Sequence, residues 1–345
     1  MLSPEFPTLR IRTGARLHCG LFSNPQPGGK LHQGLGIMID HPGVHLQAQT
    51  IAASGSDVSF QQEMETFSGQ TCEIIRTRIQ KTIQKCESNW PDVRLQLSIA
   101  VLSIIPPHIG LGSGTQLDLA TATLWTKFAG IDCSPLKIAQ VINRGKRSTI
   151  GTYGFMQGGI LIDEGVVHEQ DLGRCRFHRE LPEDWRIVLV TPRKLFGYSG
   201  AEEIQAFDKL TSISPRDLST LENYLQIIEN RGTDFHVLSE TIRQYGNLIG
   251  DTFSQAQGGR YRDPICQQIY DILLANGIRG IAQTSWGPTM FGLCENQKQA
   301  DEISEILGES LSEIDLSITR PMNTGVTVEW VHPEHEKKKP IGRLG

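Results

Sequence analysis

Alternation of apolar and polar residues predicts the strands of this chain. Over residues 93–103, the side chains of Val93, Leu95, Leu97, Ile99 and Val101 fall on one face, as in a strand with one side against a core. Loose alternation extends over 9–21, and clearer alternation over 44–52. Further strands are predicted over 160–163, 186–191, 279–284, 289–294, 316–319 and 326–330.

Apolar residues three and four positions apart predict the helices. Leu117, Ala120, Leu124 and Phe128 form one such stripe directly after a glycine-rich sequence. Other helices are predicted over 74–84, 135–143, 264–276 and 297–307, with long helical patterns up to about residue 256. Strands and helices follow one another without regular βαβ alternation. The order therefore favours an α+β fold over a doubly wound parallel sheet.

Composition narrows the class of protein. The chain has 345 residues, of which 38% are hydrophobic, enough for two domains or one large one. A formal net charge of -5 argues against nucleic acid or an anionic membrane as a partner. No apolar run approaches the about 20 residues that span a bilayer, and the first residues lack the apolar segment of a signal peptide.

Cysteine usage adds an expectation about the compartment. Seven cysteines are scattered through the sequence, and none belongs to a Cys-x-x-Cys motif. This usage is typical of reduced thiols, so we expect a cytoplasmic protein.

The most informative motif is Pro107-His-Ile-Gly-Leu-Gly-Ser-Gly-Thr115, which precedes the amphipathic helix. Its three alternating glycines permit positive φ angles and close approach of the backbone to a ligand. The start of the helix adds N–H groups and the positive end of the dipole. An ordinary strand-to-helix turn needs only one glycine. The motif therefore predicts a phosphate site formed by Gly110, Leu111, Gly112, Ser113, Gly114 and Thr115.

Several motifs resemble a known superfamily. Pro107-x-x-x-Gly-Leu-Gly-Ser-Gly-Thr is similar to the second motif of the GHMP small-molecule kinases, and Arg16-Leu-His18 is similar to a variant of their first. Within that superfamily, five segments follow in the order of the beta-ribofuranosylaminobenzene 5'-phosphate synthase family. These segments are 16–21, 110–117, 144–151, 155–159 and 283–288.

The resemblance implies a two-domain architecture. A GHMP-kinase-like N-terminal domain of the ribosomal protein S5 domain 2-like type would span 1–184, and a ferredoxin-like domain 185–333. Residues 334–345 would form a solvated tail. The substrate would lie in the cleft between the domains, and a homodimer is consistent with the family.

The resemblance also implies a reaction. Phosphoribosyl pyrophosphate would donate its ribosyl 5'-phosphate to the ring carbon of 4-aminobenzoate or 4-hydroxybenzoate, with release of CO₂ and pyrophosphate. The product would serve the synthesis of a methanopterin-type one-carbon cofactor. Mg²⁺ is implied by the family and by pyrophosphate chemistry, with no organic cofactor.

One position bears on the choice between this reaction and a kinase. Many kinases of the superfamily carry a catalytic Asp separated by six residues from a Gly-Gly pair. The same spacing from Gly158-Gly159 falls on Gly151, which has no side chain to act as a base. Two alternatives remain open: an ATP-dependent small-molecule kinase and a non-catalytic binder of phosphosugars or nucleotides.

Candidate site residues follow from the motifs. We expect Arg16, His18, Arg147 and Ser148 to be catalytic, with Lys146 assisting the glycine-rich loop in phosphate binding. Ser285, Trp286 and Gly287 would hold the aromatic acid. Each assignment has an alternative: the basic residues 144–147 as a solvated helix end, Trp286 as core packing, and His18 as a hydrogen-bonded histidine at a strand end. Metal ligands are not indicated by the sequence.

Overall fold

The computed structural model describes residues 7–24, 26–51, 56–60, 69–168, 171–197, 202, 205–206 and 213–331. The strands of its first sheet are β1 (Thr8–Phe22), β2 (Gln33–Thr50), β3 (Asp57–Phe60), β4 (Leu97–Ser103), β5 (Ile160–Asp163), β6 (Cys175–Arg179) and β11 (Thr327–Val331). These seven strands run in the order β11-β1-β2-β4-β3, with β5 joining β2 and β6 joining β5. All the pairings are antiparallel except β3 with β4.

Four helices accompany this sheet. They are α1 (Gly69–Asn89), α2 (Ser113–Phe128), α3 (Pro135–Val141) and α4 (Ile150–Gln157). α2 is the central helix, since it contacts α1, α3, α4 and strands β1 and β2. Eleven of its side chains are buried, among them the ring of Trp125, which stacks on Trp90. The N-terminus of α2 is therefore held in place by a helix that is packed on most sides.

The second sheet has four antiparallel strands, β7 (Arg186–Pro192), β8 (Gly280–Gln283), β9 (Met290–Cys294) and β10 (Ile314–Thr319), in the order β10-β7-β9-β8. The helices after β7 are α5 (Pro215–Glu229), α6 (Phe235–Gln257) and α7 (Pro264–Ala275), and α8 (Gln297–Ser310) connects β9 to β10. The chain thus forms one β-α-β unit from β7 to β8 and a second from β9 to β10. Two such units with this strand order constitute a ferredoxin-like sheet. The predicted α+β class and two-part architecture are thus confirmed.

Several elements differ from the sequence predictions. The strand predicted from residue 93 begins at Leu97, and β2 begins at Gln33 rather than at residue 44. The first part of β2 is buried on both faces, so it lacks the alternation that predicts a strand. β3, β6 and α4 had no prediction. α4 contains Gly151 and Gly154, which lower helix propensity, and a Cβ at Gly154 would lie 2.3 Å from Met38 Sδ.

The chain returns to the first sheet after β10. The amide of Asp40 donates to the carbonyl of Arg320, and β11 pairs with β1. The predicted second domain, 185–333, therefore includes β11, although the hydrogen bonds of this strand lie in the first sheet. The predicted tail, 334–345, lies outside the described residues.

The structure also bears on the cysteines and on the possibility of a membrane span. All seven cysteines are free thiols. Within the described ranges, no helix combines the length and the apolar character that crossing a bilayer would require.

Candidate active site

A cleft of about 600 Å³ lies where the two parts of the fold meet. It brings together the end of β1, the glycine-rich loop before α2, the loop between α3 and α4, and the turn between β8 and β9. The predicted site residues that line it are Arg16, His18, Gly110, Gly112, Ser113, Gly114, Thr115, Lys146, Arg147, Ser148, Ser285, Trp286 and Gly287. Leu111 is the exception, because its side chain is buried in the core.

Hydrogen bonds from one threonine fix three of these segments relative to each other. Thr284 Oγ1 accepts from the amide of His18 and donates to the carbonyl of Gly110, both at 2.9 Å. The amide of Ser285 donates to the carbonyl of His18 at 2.7 Å. The turn of the second domain is thereby tied to β1 and to the glycine-rich loop, so the cleft has a defined shape.

The glycine-rich loop has the backbone geometry that the sequence predicts. Gly110 and Gly112 have φ angles of 85° and 75°, and Gly112 directly precedes α2. We expected the space beside the glycines to admit a ligand, but part of it is occupied by arginine side chains. A Cβ at Gly112 would lie 2.7 Å from Arg16 Cγ, and one at Gly114 would contact the guanidinium of Arg78. The glycines therefore admit two arginine side chains to the helix N-terminus as well as leaving its backbone accessible.

The charged side chains in the described lining of the cleft are all basic. Four arginines and one lysine contribute, namely Arg16, Arg78, Arg144, Arg147 and Lys146, while the described lining contains no Asp or Glu. The basic residues 144–147 lie in a loop that faces the cleft, where the alternative was a solvated helix end. This charge distribution, next to a helix N-terminus, suits a ligand with several negative charges.

Arg78 is a site residue that the sequence did not indicate. It lies on α1, which is separated from the glycine-rich loop by strand β4, within a pattern that is typical of an amphipathic helix. Only the packing of α1 against α2 brings it to Gly114. Arg144 begins segment 144–151, one of the five that carry the resemblance, but the sequence predicts no role for it.

His18 is hydrogen-bonded through both ring nitrogens. Its Nδ1 accepts from the amide of Gly20 at 3.1 Å, and its Nε2 lies 2.9 Å from Ser148 Oγ. Because Nδ1 is an acceptor, the neutral ring carries its proton on Nε2 and donates it to Ser148. Burial and the nearby charge of Arg16 hold the pKa of His18 well below its usual value. The arrangement fits a neutral histidine that orients Ser148 rather than a general base.

Trp286 both lines the cleft and packs in the core. It is 3% exposed, and its ring stacks on Phe253 with centroids 4.8 Å apart. Ser285 and Gly287 have positive φ angles of 56° and 65°, which form the tight turn that presents the indole. The two alternatives for Trp286 thus coexist, with Phe253 as an aromatic neighbour that the sequence did not indicate.

The depressed pKa of His18 has a consequence for stability. Folding favours the neutral ring, so the unfolded chain binds the additional proton as pH falls below about 6.5. We expect His18→Gln, which retains a donor toward Ser148, to reduce the loss of stability between pH 7.5 and pH 5. Urea denaturation of both proteins at the two pH values measures this, and an unchanged pH dependence would contradict it.

Comparison with known proteins supports the fold. The GHMP kinases N terminal domain model matches residues 77–159, and the GHMP kinases C terminal model matches 240–313. The solved mevalonate diphosphate decarboxylase of Staphylococcus aureus aligns with a TM-score of 0.66 at 13% identity, covering 94% of this chain and 98% of that one. Homoserine kinase of Cytophaga hutchinsonii aligns with a TM-score of 0.62 at 13% identity, covering 93% and 97%. The chain therefore has the two-domain fold of the GHMP kinase superfamily.

The chain is also similar in sequence, over most of its length, to one group of enzymes. It is 26% identical over 324 residues to beta-ribofuranosylphenol 5'-phosphate synthase of Methanothermobacter thermautotrophicus, covering 87% of this chain and 93% of the relative. The enzyme of the same name from Methanocaldococcus jannaschii is 24% identical over 336 residues, covering 91% and 98%. These homologies confirm the predicted branch and the expectation of an enzyme. The names of the relatives specify a phenol, where the resemblance from sequence named an aminobenzene.

Proposed function

We propose that this enzyme is a decarboxylating phosphoribosyl C-transferase. A C–C bond would form between the anomeric carbon of phosphoribosyl pyrophosphate and the ring carbon that bears the carboxylate in 4-hydroxybenzoate or 4-aminobenzoate. The bond from the anomeric carbon to pyrophosphate breaks, and the electrons of the ring–carboxylate bond restore the aromatic ring as CO₂ leaves. The observation that carries the proposal is the basic cleft around the glycine-rich loop, in a homologue of the ribofuranosylphenol phosphate synthases.

The residues of the cleft suit a diphosphate leaving group. Departure of pyrophosphate concentrates negative charge on its oxygens while the ribose becomes cationic at the anomeric carbon. Backbone amides at the start of α2 and the forked guanidinium of Arg16 can stabilise that charge without reorganising. Arg16 is itself oriented, since its Nη1 donates to the carbonyl of Gly110 at 3.0 Å.

The aromatic acid would bind beside the turn that contains Trp286. Its ring needs an apolar neighbour, and its carboxylate leaves as neutral CO₂, which a polar site would hinder. The hydroxyl or amino group para to the carboxylate supplies the electrons for attack, so an electron-sink cofactor is not required. Since the relatives are named for a phenol, 4-hydroxybenzoate is the first acid to test. The product would serve a methanopterin-type cofactor in the cytoplasm.

The described residues of the cleft do not fit a resident Mg²⁺. Mg²⁺ in proteins is usually held by one or two carboxylates together with substrate phosphates. The described lining offers none, and no described cluster of three His, Cys, Asp or Glu could hold a metal. We propose that Mg²⁺ enters as the counter-ion of the diphosphate, and that arginines carry the protein's share of charge neutralisation.

The kinase alternative finds less support at Gly151. This glycine is buried in α4, and a Cβ there would lie 3.1 Å from Thr115 Cγ2. Its carbonyl accepts from Gln116 Nε2 at 2.9 Å, so the position is packed beneath the glycine-rich loop. A non-catalytic binder would show ligand-induced thermal stabilisation without turnover.

Release of labelled CO₂ tests the proposed reaction. The purified protein would be incubated with phosphoribosyl pyrophosphate, Mg²⁺ and carboxyl-labelled 4-hydroxybenzoate, and separately with the 4-amino acid. We expect labelled CO₂ and pyrophosphate in equal amounts, dependent on both substrates. No release with either acid, together with ATP-dependent phosphorylation of an alcohol, would favour the kinase.

Arg147 is expected to contribute directly to binding of the phosphorylated substrate. Arg147→Ala should weaken phosphoribosyl pyrophosphate binding by about 1.5–3 kcal/mol, the range for a hydrogen bond with a charged partner. Titration calorimetry measures this, with Arg94→Ala as a control, because Arg94 is exposed and lies outside the cleft. Equal affinities of the two variants would identify Arg147 as a solvated loop residue.

A further inference from the structure

One buried carboxylate holds two of the arginines that line the cleft. Asp118, on the second turn of α2, accepts from Arg78 Nε at 2.7 Å and from Arg78 Nη2 at 3.1 Å. It also accepts from Arg144 Nε at 2.7 Å and lies 2.6 Å from Arg144 Nη2. A fifth contact comes from Thr82 Oγ1 at 3.2 Å. The carboxylate is thus surrounded by donors from α1 and from the loop after α3.

Asp118 cannot reach a ligand, but its two partners can. Its side chain is 4% exposed, whereas the side chains of Arg78 and Arg144 are 35% and 31% exposed and line the cleft. Each arginine uses Nε and Nη2 on Asp118, and its Nη1 donates to no other described residue. Two guanidiniums on one carboxylate leave one excess positive charge, directed toward the cleft.

The position of this excess charge points to a particular ligand group. The guanidinium of Arg78 lies against Gly114, since a Cβ there would be 2.4 Å from Nη2 and 3.0 Å from Nη1. Gly114 is in the first turn of α2, where backbone amides and the helix dipole favour an anion. A phosphate on these amides would lie next to Arg78, and a second, linked phosphate could span toward Arg144.

We propose that Asp118 is a positioning residue that orients Arg78 and Arg144 as a subsite for the diphosphate of the substrate. The subsite binds the leaving group, not the ribose 5'-phosphate. This assignment rests on the proposed function for the identity of the substrate. Binding of inorganic pyrophosphate alone, however, tests the subsite without requiring any turnover.

Calorimetric titration of the full-length protein with pyrophosphate and with ribose 5-phosphate tests the subsite. Asp118→Asn keeps the shape of the side chain but removes its charge, so both guanidiniums lose their fixed orientation. We expect its pyrophosphate dissociation constant to rise at least tenfold, with less than a twofold change for ribose 5-phosphate. Equal weakening of both ligands, or a larger effect on ribose 5-phosphate, would overturn the assignment.

A mutant cycle separates positioning from a general structural role. If Asp118 acts through Arg78 and Arg144, then adding Asp118→Asn to the double variant Arg78→Ala/Arg144→Ala should not weaken pyrophosphate binding any further. Additive losses would contradict positioning. Should Asp118→Asn fail to fold, Arg78→Ala and Arg144→Ala still test the subsite, since each should weaken pyrophosphate binding selectively.

The chain offers a matched control outside the cleft. Glu229 accepts from Arg176 Nε at 2.7 Å and from Arg176 Nη2 at 2.8 Å, the same two-point pairing that Asp118 makes with Arg78. Glu229→Gln should leave pyrophosphate affinity unchanged, and a comparable loss there would contradict the proposal. Selective pyrophosphate binding without CO₂ release would uphold the subsite and refute the proposed reaction.

Discussion

Gly112→Ala is expected to weaken binding of phosphoribosyl pyrophosphate at least tenfold, which corresponds to about 1.4 kcal/mol. The added Cβ would lie 2.7 Å from Arg16 Cγ and 3.1 Å from Arg16 Nε, so the guanidinium must leave its position beside the loop. The backbone φ of 75° adds strain for alanine of about 1–2 kcal/mol, which will lower the free energy of unfolding. Titration calorimetry and urea denaturation measure the two effects separately.

Gly130 provides the control for this substitution. Its φ angle is 66°, close to that of Gly112, and a Cβ there would meet no atom within 4 Å. Gly130→Ala should therefore show a similar loss of stability, while its affinity for phosphoribosyl pyrophosphate stays at the wild-type value. Similar affinities of the two variants would show that the contact between Gly112 and Arg16 has no role in binding.

The fold was predictable where residues carry local periodicity. Strands β4 and β9 and helices α2, α7 and α8 show alternation or apolar stripes, and they appear within a few residues of the expected bounds. The first part of β2 was not predictable, because burial on both faces removes the alternating polar positions that reveal a strand. α4 was missed for a related reason, since its glycines serve close packing and not helix formation.

The site was predictable in its contiguous motifs and not in its long-range contacts. The glycine-rich loop, Arg16 and the turn around Trp286 each carry a sequence signal, and the structure brings them to one cleft. Arg78 and Asp118 are 40 residues apart, and each has an ordinary helical context. Their pairing depends on the packing of α1 against α2, for which one sequence contains no evidence.

The described lining of the cleft contains no carboxylate, which is not what a site for phosphoryl transfer is expected to show. A kinase needs a group that orients the attacking hydroxyl and usually carboxylates that hold Mg²⁺. Here the carboxylate of Asp118 lies behind the arginines, at a side-chain exposure of 4%, and contacts their guanidiniums instead of facing the cleft. This arrangement suits departure of a diphosphate, which needs charge stabilisation more than a base.

Introducing a carboxylate at position 151, where many kinases of the superfamily carry an Asp, is therefore expected to destabilise the protein without making it a kinase. Gly151→Asp would place an ionised group at a buried position of α4, beside Thr115, at a cost to folding of about 3 kcal/mol or more. Gly151→Ala adds only the Cβ, so the difference between the two variants in urea denaturation isolates the charge. We also expect no release of ADP from ATP by Gly151→Asp. Near-normal stability accompanied by ATP-dependent phosphorylation would instead show that the fold retains a latent kinase site, in which Gly151 is the residue that keeps it inactive.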